Sequence, residues 1–177
     1  MTCIVGLERD GVVYMGGDSA GASGWDITSQ VLPKVFIVGE FIIGYTSSFR
    51  MGQLLQYHLS VKPREQMDDH AYMVTVFAEA VRSLLKEHGY SRVENNEETG
   101  GIFLVGYHGH LYKVTDEFSV LRNTDGYNSV GCGQSFALGS MRVLEKSDPL
   151  EAIRKALETA EHFSSGVRGP FNFEVLR

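Results

Sequence analysis

Two apolar runs near the start of the chain are joined by an Asp-Gly pair, and this pattern constrains the fold more than any other. The runs are Cys3–Leu7 and Val12–Gly17, and Asp10-Gly11 lies between them. Asp-Gly favours the tight turn that joins two antiparallel strands, because both of its residues accept positive φ. The sequence therefore predicts a β-hairpin over residues 3–17.

Thr2 lies directly before this hairpin. If Met1 is removed, Thr2 carries both a hydroxyl and a free α-amine. A threonine hydroxyl is a weak nucleophile, but an α-amine has a pKa of roughly 7.7–8.0 and can take its proton near neutral pH. Thr2 is thus a candidate nucleophile that supplies its own base. The alternative is that Thr2 is only the first residue of a strand.

Two charged residues follow at positions that suit such a site. Asp18 comes after the small residues Gly16 and Gly17, which allow close backbone approach, and Lys34 precedes the apolar run at Val35. A carboxylate that follows a buried run needs a partner, and a buried lysine keeps its charge only beside a carboxylate. An ammonium near the α-amine would also lower the pKa of that amine. Alternatively, Asp18 caps a turn and Lys34 is a solvated charge.

Thr2, Asp18, Lys34 and the turn 44–48 together resemble the proteasome β-subunit family of N-terminal-nucleophile (Ntn) hydrolases. Within that family the sequence most resembles the bacterial ATP-dependent two-component peptidase. The resemblance runs through the whole chain in element order. It implies an α+β fold, the four-layer αββα sandwich, with Thr2 as nucleophile. It also implies that Lys34 tunes the terminal amine and that Asp18 keeps Lys34 charged and oriented.

The same resemblance implies an oxyanion donor in the turn after Gly44. The family has glycine or alanine there, whereas this chain has Ser47-Ser48. The backbone N–H of Ser48 is the candidate donor to a tetrahedral oxyanion. Serine resists the positive φ that glycine accepts, so this loop need not keep the family's shape. The alternative is that the serine pair caps the helix that begins near Phe49.

Three further positions match family residues that support the nucleophile. Cys132, between two glycines, occupies the place of a serine near the amine, although we favour the alternative that it is a small buried residue. Glu161 and Ser164 match an aspartate and a serine, and the longer glutamate moves the carboxylate by about one methylene. A solvated glutamate at a helix end is the alternative for Glu161.

Composition fits one compact domain over residues 1–177. The chain has 43% hydrophobic residues, a net charge of −6 and 2 cysteines. The length suffices for a real core, and two cysteines suggest a reducing compartment more than a disulfide framework. An acidic chain without a basic cluster argues against nucleic acid as a partner. No apolar run approaches a membrane span and no leader opens the chain, so we expect a soluble, cytoplasmic protein.

Hydrophobic periodicity predicts two groups of strands separated and followed by helices. The predicted strands are Cys3–Leu7, Val12–Gly17, Val35–Val38, Phe41–Tyr45, Gly101–Tyr107, His110–Val114, Tyr127–Gly131 and Phe171–Leu176. The predicted helices are Phe49–Leu59, Asp69–His88, Gln134–Leu144 and Pro149–Phe163. A looser polar segment is expected at Ser91–Thr99.

Other motifs are weaker. Gly131, Gly133 and Gly139 lack the ending and spacing of a phosphate-binding loop. His108-Gly109-His110 is half of a metal site at most and favours a solvated hairpin turn.

The sequence therefore favours a threonine endopeptidase subunit that cleaves unfolded polypeptide and needs no cofactor. The resemblance implies a homo-oligomeric ring around a chamber, with an ATPase partner that unfolds the substrate. Two alternatives stay open. One is a catalytically silent ring subunit that retains Met1, and the other is an Ntn amidohydrolase that acts on a small amide.

Overall fold

The computed structural model describes residues 1–23, 26–95 and 97–177. The strands are β1 (Cys3–Arg9), β2 (Val12–Gly17), β3 (Ala20–Ser23), β4 (Asp26–Ser29), β5 (Val35–Val38), β6 (Phe41–Tyr45), β7 (Arg92–Glu94), β8 (Glu97–Thr99), β9 (Phe103–Tyr107), β10 (His110–Val114), β11 (Val120–Leu121), β12 (Tyr127–Gly131) and β13 (Asn172–Leu176). The helices are α1 (Phe49–His58), α2 (Asp69–Tyr72), α3 (Ala78–Glu87), α4 (Gln134–Leu144) and α5 (Pro149–Phe163). A π-helical turn (Met73–Phe77) joins α2 to α3.

The predicted hairpin at the start of the chain is confirmed. Strands β1 and β2 pair antiparallel, with Leu7 opposite Tyr14. Asp10 has φ 52° and Gly11 has φ 74°, so both turn residues are left-handed, as in the tight hairpin turn that Asp-Gly favours. This hairpin forms the centre of a four-stranded sheet of order β12-β1-β2-β13.

A second sheet packs face to face against the first. It has five strands in the order β11-β10-β9-β6-β5. The residues between the sheets are apolar and come from alternate positions of the strands. They are Ile4, Val13, Met15, Val35, Ile42, Leu104, Leu111 and Val130. This inner core joins the two sheets into a sandwich.

Helices cover both outer faces of the sandwich. On the four-stranded sheet, β1 side chains such as Val5 and Leu7 pack with residues of α4 and α5, including Met141 and Leu157. On the five-stranded sheet, residues such as Val105 pack with α1 and α3. The layers therefore run helix, sheet, sheet, helix, and the predicted αββα sandwich is confirmed.

Small residues let the two sheets approach closely where the site forms. A Cβ on Gly44 would lie 2.5 Å from both Ile4 and Met15 of the facing sheet. A Cβ on Gly17 would lie 2.8 Å from Ile4 and 2.9 Å from Val35. Side chains at these positions would hold the sheets apart. The close approach brings the start of β5 beneath the start of β1 and the end of β2.

Two sequence predictions are corrected. The described residues of Ser91–Thr99 are not a loose polar segment, because β7 and β8 pair as a hairpin there; Asn96 lies outside the described residues. Glu98 accepts hydrogen bonds from Ser91 and Arg82, so polar contacts hold this hairpin. The predicted helix Asp69–His88 is interrupted by the π-helical turn and ends at Glu87.

Helix ends follow the predicted chemistry. Pro149 lies in the first turn of α5, and Asp148 caps that helix by accepting from the Glu151 N–H at 3.0 Å.

His108 and Gly109 have φ 46° and 78° and form the turn between β9 and β10, as expected for a hairpin. Within residues 1–23, 26–95 and 97–177, no helix is long and apolar enough to cross a membrane.

Candidate active site

Thr2, Asp18 and Lys34 meet where the two sheets converge. Thr2 precedes β1 and Asp18 follows β2, so the central hairpin of one sheet supplies both. Lys34 precedes β5 of the other sheet. Exposed fractions are 5% for Thr2, 0% for Asp18 and 1% for Lys34. The structure thus places the three residues in one buried cluster.

The Lys34 ammonium links the carboxylate to the hydroxyl. Lys34 Nζ donates to Thr2 Oγ1 at 3.0 Å and to Asp18 Oδ1 at 2.9 Å. Taking two charges out of water costs several kcal/mol per ion in real proteins, and good geometry with further hydrogen bonds offsets that cost. The cluster therefore holds a buried ion pair against the Thr2 hydroxyl, and desolvation of the two charges costs free energy.

Three backbone N–H groups supply the further hydrogen bonds. Asp18 Oδ1 accepts from Cys3 N at 2.9 Å, and Oδ2 accepts from Ala20 N at 2.9 Å and Arg168 N at 3.3 Å. Because a carboxylate accepts through two oxygens, these donors and Lys34 occupy both of them. Because Cys3 directly follows Thr2 in the chain, these hydrogen bonds fix the position of the Asp18 carboxylate relative to Thr2.

Burial and the ion pair act in opposite directions on Lys34. Desolvation by burial is the larger effect and lowers the pKa of Lys34 from its ordinary value of 10.5. The Asp18 charge and its hydrogen bond raise that pKa again and so limit the fall. Asp18 therefore favours the charged form of the lysine that touches the Thr2 hydroxyl.

Cys132 lies against the nitrogen of Thr2. The Thr2 N–H donates to Cys132 Sγ at 3.3 Å, and Gly133 N donates to the Thr2 carbonyl at 3.3 Å. Gly131 has φ 100°, and a Cβ there would collide with the Thr2 carbonyl. Cys132 is exposed, so our preferred alternative of a small buried residue is wrong.

Met1 covers part of the same region. In this structure the Thr2 nitrogen is the amide that joins Thr2 to Met1, and the Thr2 hydroxyl donates to the Met1 carbonyl. The Met1 side chain and Cys132 Sγ both lie where a Cβ on Gly166 would be, at 2.7–2.8 Å. Only glycine at position 166 leaves room for both.

Ser164 and Glu161 lie farther out, at the end of α5. Ser164 Oγ donates to Cys132 Sγ at 3.5 Å and thus reaches Thr2 through the thiol. Glu161 Oε1 accepts from Gly169 N at 2.8 Å. That bond holds the segment from which Arg168 N reaches Asp18. Glu161 makes no hydrogen bond to Thr2 among the described residues, so its influence passes through this segment.

Ser48 is a helix cap in this structure. Its Oγ accepts from Arg50 N at 3.1 Å, and its own N–H donates to the Thr46 carbonyl at 2.8 Å. The N–H expected to face an oxyanion is therefore engaged elsewhere. Ser47 takes φ 70°, the left-handed conformation that serine resists, and Ile102 N donates to Ser47 Oγ at 3.1 Å. Within the described residues the Ser47 N–H has no such partner.

Two residues of the site were missed by sequence reasoning. Arg168 contributes only a backbone N–H, which has no sequence signal. Phe49 lies with its ring centroid 5.9 Å from Lys34 Nζ and is 41% exposed. An apolar residue directly after a capping serine is a usable signal, because it starts a helix beside the turn. Among the residues described, no group of three or more His, Cys, Asp or Glu side chains is placed to hold a metal ion.

Comparisons with known proteins rest on structure. No family model matches the sequence, and no curated protein matches it significantly. BPH from Thiobacillus denitrificans, solved in complex with epoxomicin, has a TM-score of 0.82 and 20% identity over 99% of this chain and 98% of its own. Eukaryotic HslV from Trypanosoma brucei has a TM-score of 0.72 and 19% identity over 99% of each chain.

Anbu (ancestral beta-subunit) from Yersinia bercovieri is also similar. Its TM-score is 0.71 and its identity 14%, over 99% of this chain and 81% of its own. Matches of this extent cover all four layers. The chain therefore has the αββα fold of the proteasome-like proteins BPH, HslV and Anbu.

Proposed function

We propose that this chain is an N-terminal threonine endopeptidase subunit. The observation that carries the proposal is the 3.0 Å hydrogen bond from Lys34 Nζ to Thr2 Oγ1, made by a lysine that is buried and paired with Asp18. An ion pair of this kind is seldom retained for stability alone, because apolar residues of similar volume often serve better. Its contact with a threonine hydroxyl supports a chemical role.

Removal of Met1 completes the proposed site. It takes away the carbonyl to which the Thr2 hydroxyl now donates, and it turns the Thr2 amide nitrogen into an α-amine on the same residue. That amine can accept the hydroxyl proton near neutral pH. Lys34 holds positive charge nearby, which disfavours the protonated amine and so keeps it available as a base.

The reaction then has four steps. The amine takes the proton from Thr2 Oγ1 while the oxygen attacks the peptide carbonyl carbon, which forms a C–O bond and a tetrahedral oxyanion. The protonated amine gives its proton to the leaving nitrogen as the C–N bond breaks, and the acyl group remains on Thr2 as an ester. Water, deprotonated by the same amine, attacks the ester. The amine returns the proton to Oγ1 and the carboxylic acid leaves.

The oxyanion needs a preorganised N–H donor. We assign this role to Ser47, because its N–H has no partner within the described residues whereas the Ser48 N–H is donated to Thr46. The 3.1 Å bond from Ile102 N to Ser47 Oγ holds the residue in its left-handed conformation. This hydrogen bond offsets part of the free energy that the left-handed conformation of Ser47 costs.

We further propose that subunits form a homo-oligomeric ring that encloses the site, with an ATPase that unfolds polypeptide substrate. The similarity to BPH, HslV and Anbu supports this arrangement. Exposed apolar side chains on α4 and α5, such as Val143 and Phe163, are consistent with a surface that a subunit contact would bury. Size-exclusion chromatography with light scattering measures the assembly directly.

Epoxomicin, which was solved bound to BPH, provides the decisive test. An epoxyketone has two adjacent electrophilic carbons, so stable capture requires a hydroxyl and a free amine on one residue. We expect intact mass spectrometry to show loss of one methionine and one adduct per chain. The adduct should be absent from Thr2→Ala and present in Cys132→Ser, which separates Thr2 from the exposed thiol beside it.

Peptide hydrolysis completes the test. Casein and short fluorogenic peptides should be cleaved by the wild type and not by Thr2→Ala. Retained Met1 with no adduct would favour the silent ring subunit. An adduct with cleavage of small amides only, by a protein that forms no ring, would favour the amidohydrolase.

A further inference from the structure

The peptide bond that joins Met1 to Thr2 is closed off by hydrogen bonds. The Thr2 hydroxyl donates to the Met1 carbonyl, and the Thr2 N–H donates to Cys132 Sγ at 3.3 Å. The Thr2 carbonyl accepts from Gly133 N at 3.3 Å. Thr2 is only 5% exposed, although Met1 before it is 54% exposed. The bond that must break to free the α-amine therefore lies against the interior of the fold.

The residues after Thr2 anchor it to the sheet. Cys3 and Ile4 are fully buried and belong to β1, which pairs with β12 on one side and with β2 on the other. Cys3 lies opposite Gly131, and Ile4 lies opposite Gly17. Because a central strand has neighbours on both sides, drawing out the start of the chain would break backbone hydrogen bonds of two ladders. Opening of the Met1–Thr2 bond is thus coupled to opening of the central strand.

The Met1 side chain is held as well. A Cβ on Gly166 would lie 2.7 Å from Met1 Cβ and 2.8 Å from Met1 Cγ. Cys132 Sγ lies 2.7 Å from the same point. The first atoms of the methionine side chain are therefore packed against the segment that follows α5.

A separate hydrolase needs the opposite arrangement at this bond. An aminopeptidase encloses the first residue of its substrate, brings water to the carbonyl carbon and takes the next residues in an extended, unpaired form. Here the Met1 carbonyl is hydrogen-bonded and the next residues are paired in β1. A bond in such a position is cut from a transiently open form, at a rate that follows the population of that form.

The folded site does not supply the hydrolysis itself. Among the residues described, the Thr2 hydroxyl contacts the Lys34 ammonium and the Met1 carbonyl. Lys34 is paired with Asp18, and the Thr2 nitrogen is an amide, so neither is a base that could take the hydroxyl proton. The amine that serves as base in the proposed reaction exists only after the bond has been broken.

We infer that hydrolysis of the Met1–Thr2 bond precedes closure of the sandwich, and that a chain which folds with Met1 in place stays inactive. A separate aminopeptidase carries out the step. Water gives its hydroxyl to the Met1 carbonyl carbon and a proton to the Thr2 nitrogen as the C–N bond breaks. The consequence for activity rests on the proposed peptidase function, whereas the order of hydrolysis and folding does not.

The test measures methionine loss at increasing degrees of unfolding. Protein that retains Met1 is made in cells treated with an inhibitor of methionine aminopeptidase. A thermostable methionine aminopeptidase, which stays active in urea, is then added across a urea series, and intact mass follows the loss of one methionine. A synthetic peptide of residues 1–8 gives the rate for an accessible bond at each urea concentration.

We expect the folded protein to lose Met1 at least about a hundredfold more slowly than the peptide in the absence of urea. The protein rate should approach the peptide rate as circular dichroism reports unfolding. After dilution from urea, the processed chain should form the epoxomicin adduct, and folded protein that retains Met1 should not.

A matched control places the methionine outside the site. Insertion of Gly-Ser-Gly between Met1 and Thr2 adds about 10 Å of extended chain. The aminopeptidase should then remove the methionine from the folded protein at close to the peptide rate. This control shows that the enzyme can act on a folded chain of the same sequence.

Three outcomes would overturn the inference. The first is loss of Met1 from the folded protein at the peptide rate, and the second is loss without added aminopeptidase. The third is an insertion protein as resistant as the wild type, which would show that the contacts of Thr2 do not protect the bond. If methionine loss follows unfolding but the processed, refolded chain forms no adduct, the proposed function fails and the order of hydrolysis and folding stands.

Discussion

Cys3 and Asp18 are joined by reciprocal hydrogen bonds: Cys3 N donates to Asp18 Oδ1 at 2.9 Å, and Asp18 N donates to the Cys3 carbonyl at 3.2 Å. Oδ1 also accepts from Lys34. One carboxylate oxygen thus fixes both the residue after Thr2 and the cation that contacts the Thr2 hydroxyl. A substitution of Asp18 should therefore affect both the charge of Lys34 and the position of Thr2.

The pH dependence of activity should report the Lys34 charge. Because burial lowers the pKa of Lys34, the alkaline limb of kcat/KM should lie below the ordinary lysine value of 10.5. Asp18→Asn removes the group that raises this pKa and should move the limb to lower pH, with a lower maximum. Peptide hydrolysis between pH 5 and 10.5 measures both. A limb that stays in place in Asp18→Asn would contradict the coupling.

Over the alkaline pH range in which activity is expected to fall, the contribution of Lys34 to the free energy of unfolding should rise. The unfolded chain keeps the Lys34 proton up to about pH 10.5, whereas the folded chain releases it earlier. Between the two pKa values the unfolded state binds more protons, so the contribution of Lys34 to the free energy of unfolding rises with pH. Urea unfolding at each pH should therefore show that loss of activity precedes any loss of structure.

Replacing one partner of the Lys34–Asp18 ion pair should destabilise the fold more than replacing both partners. Lys34→Met leaves the buried Asp18 charge without its cation and should destabilise the fold by about 3–5 kcal/mol. Adding Asp18→Asn should recover only part of that loss, because the amide is neutral but its NH2 group faces backbone N–H donors that one of the carboxylate oxygens accepted from. Both proteins should be inactive. Equal stability of the single and double variants in urea would show that the two residues are not coupled.

The two cysteines should differ sharply in reactivity. Burial raises the pKa of Cys3 to about 12, so its thiolate is scarce at pH 8, whereas Cys132 is exposed. A disulfide reagent should label one thiol in the native protein and two in denaturant. The label on Cys132 lies beside the Thr2 nitrogen and should abolish hydrolysis, whereas Cys132→Ser should be resistant. Rapid native labelling of Cys3 would contradict the burial described.

Ser48 should matter for stability more than for catalysis. Ser48→Ala removes the α1 cap and should cost about 1 kcal/mol while kcat stays within about threefold. Asp148→Ala removes the corresponding cap of α5 and is the matched control. Thermal unfolding and peptide hydrolysis together make the comparison. Because Ser48→Ala keeps the backbone N–H, a hundredfold fall in kcat for this variant alone would show that the Ser48 hydroxyl has a role in hydrolysis beyond the helix cap.

Strong local patterns made much of the fold predictable. The Asp-Gly turn gave the first hairpin because its conformation follows from two residues. The β7–β8 hairpin was not predicted, because polar contacts of Glu98 hold it and such contacts leave no alternation of apolar residues in the sequence. The π-helical turn was not predicted, because its apolar residues keep nearly the same spacing as in an α-helix.

The candidate site was predictable where it depends on side chains and not where it depends on backbone. Thr2, Asp18 and Lys34 each supply a functional group, and the structure brings them together. The Arg168 N–H and the engagement of the Ser48 N–H by Thr46 depend on loop conformation, which no residue type specifies. Cys132 lies beside the Thr2 nitrogen, where the resemblance implied a supporting residue, but its exposure was not predicted.

Thr2 is held from both halves of the sandwich: its hydroxyl by Lys34 of the five-stranded sheet, and its nitrogen and carbonyl by the segment 132–133 that follows β12 of the other sheet. Neither sheet alone positions the proposed nucleophile. We therefore expect the proposed activity to require the closed sandwich, so that a newly made or partly unfolded chain would be inactive. Closure of the two sheets would then protect neighbouring proteins from premature cleavage.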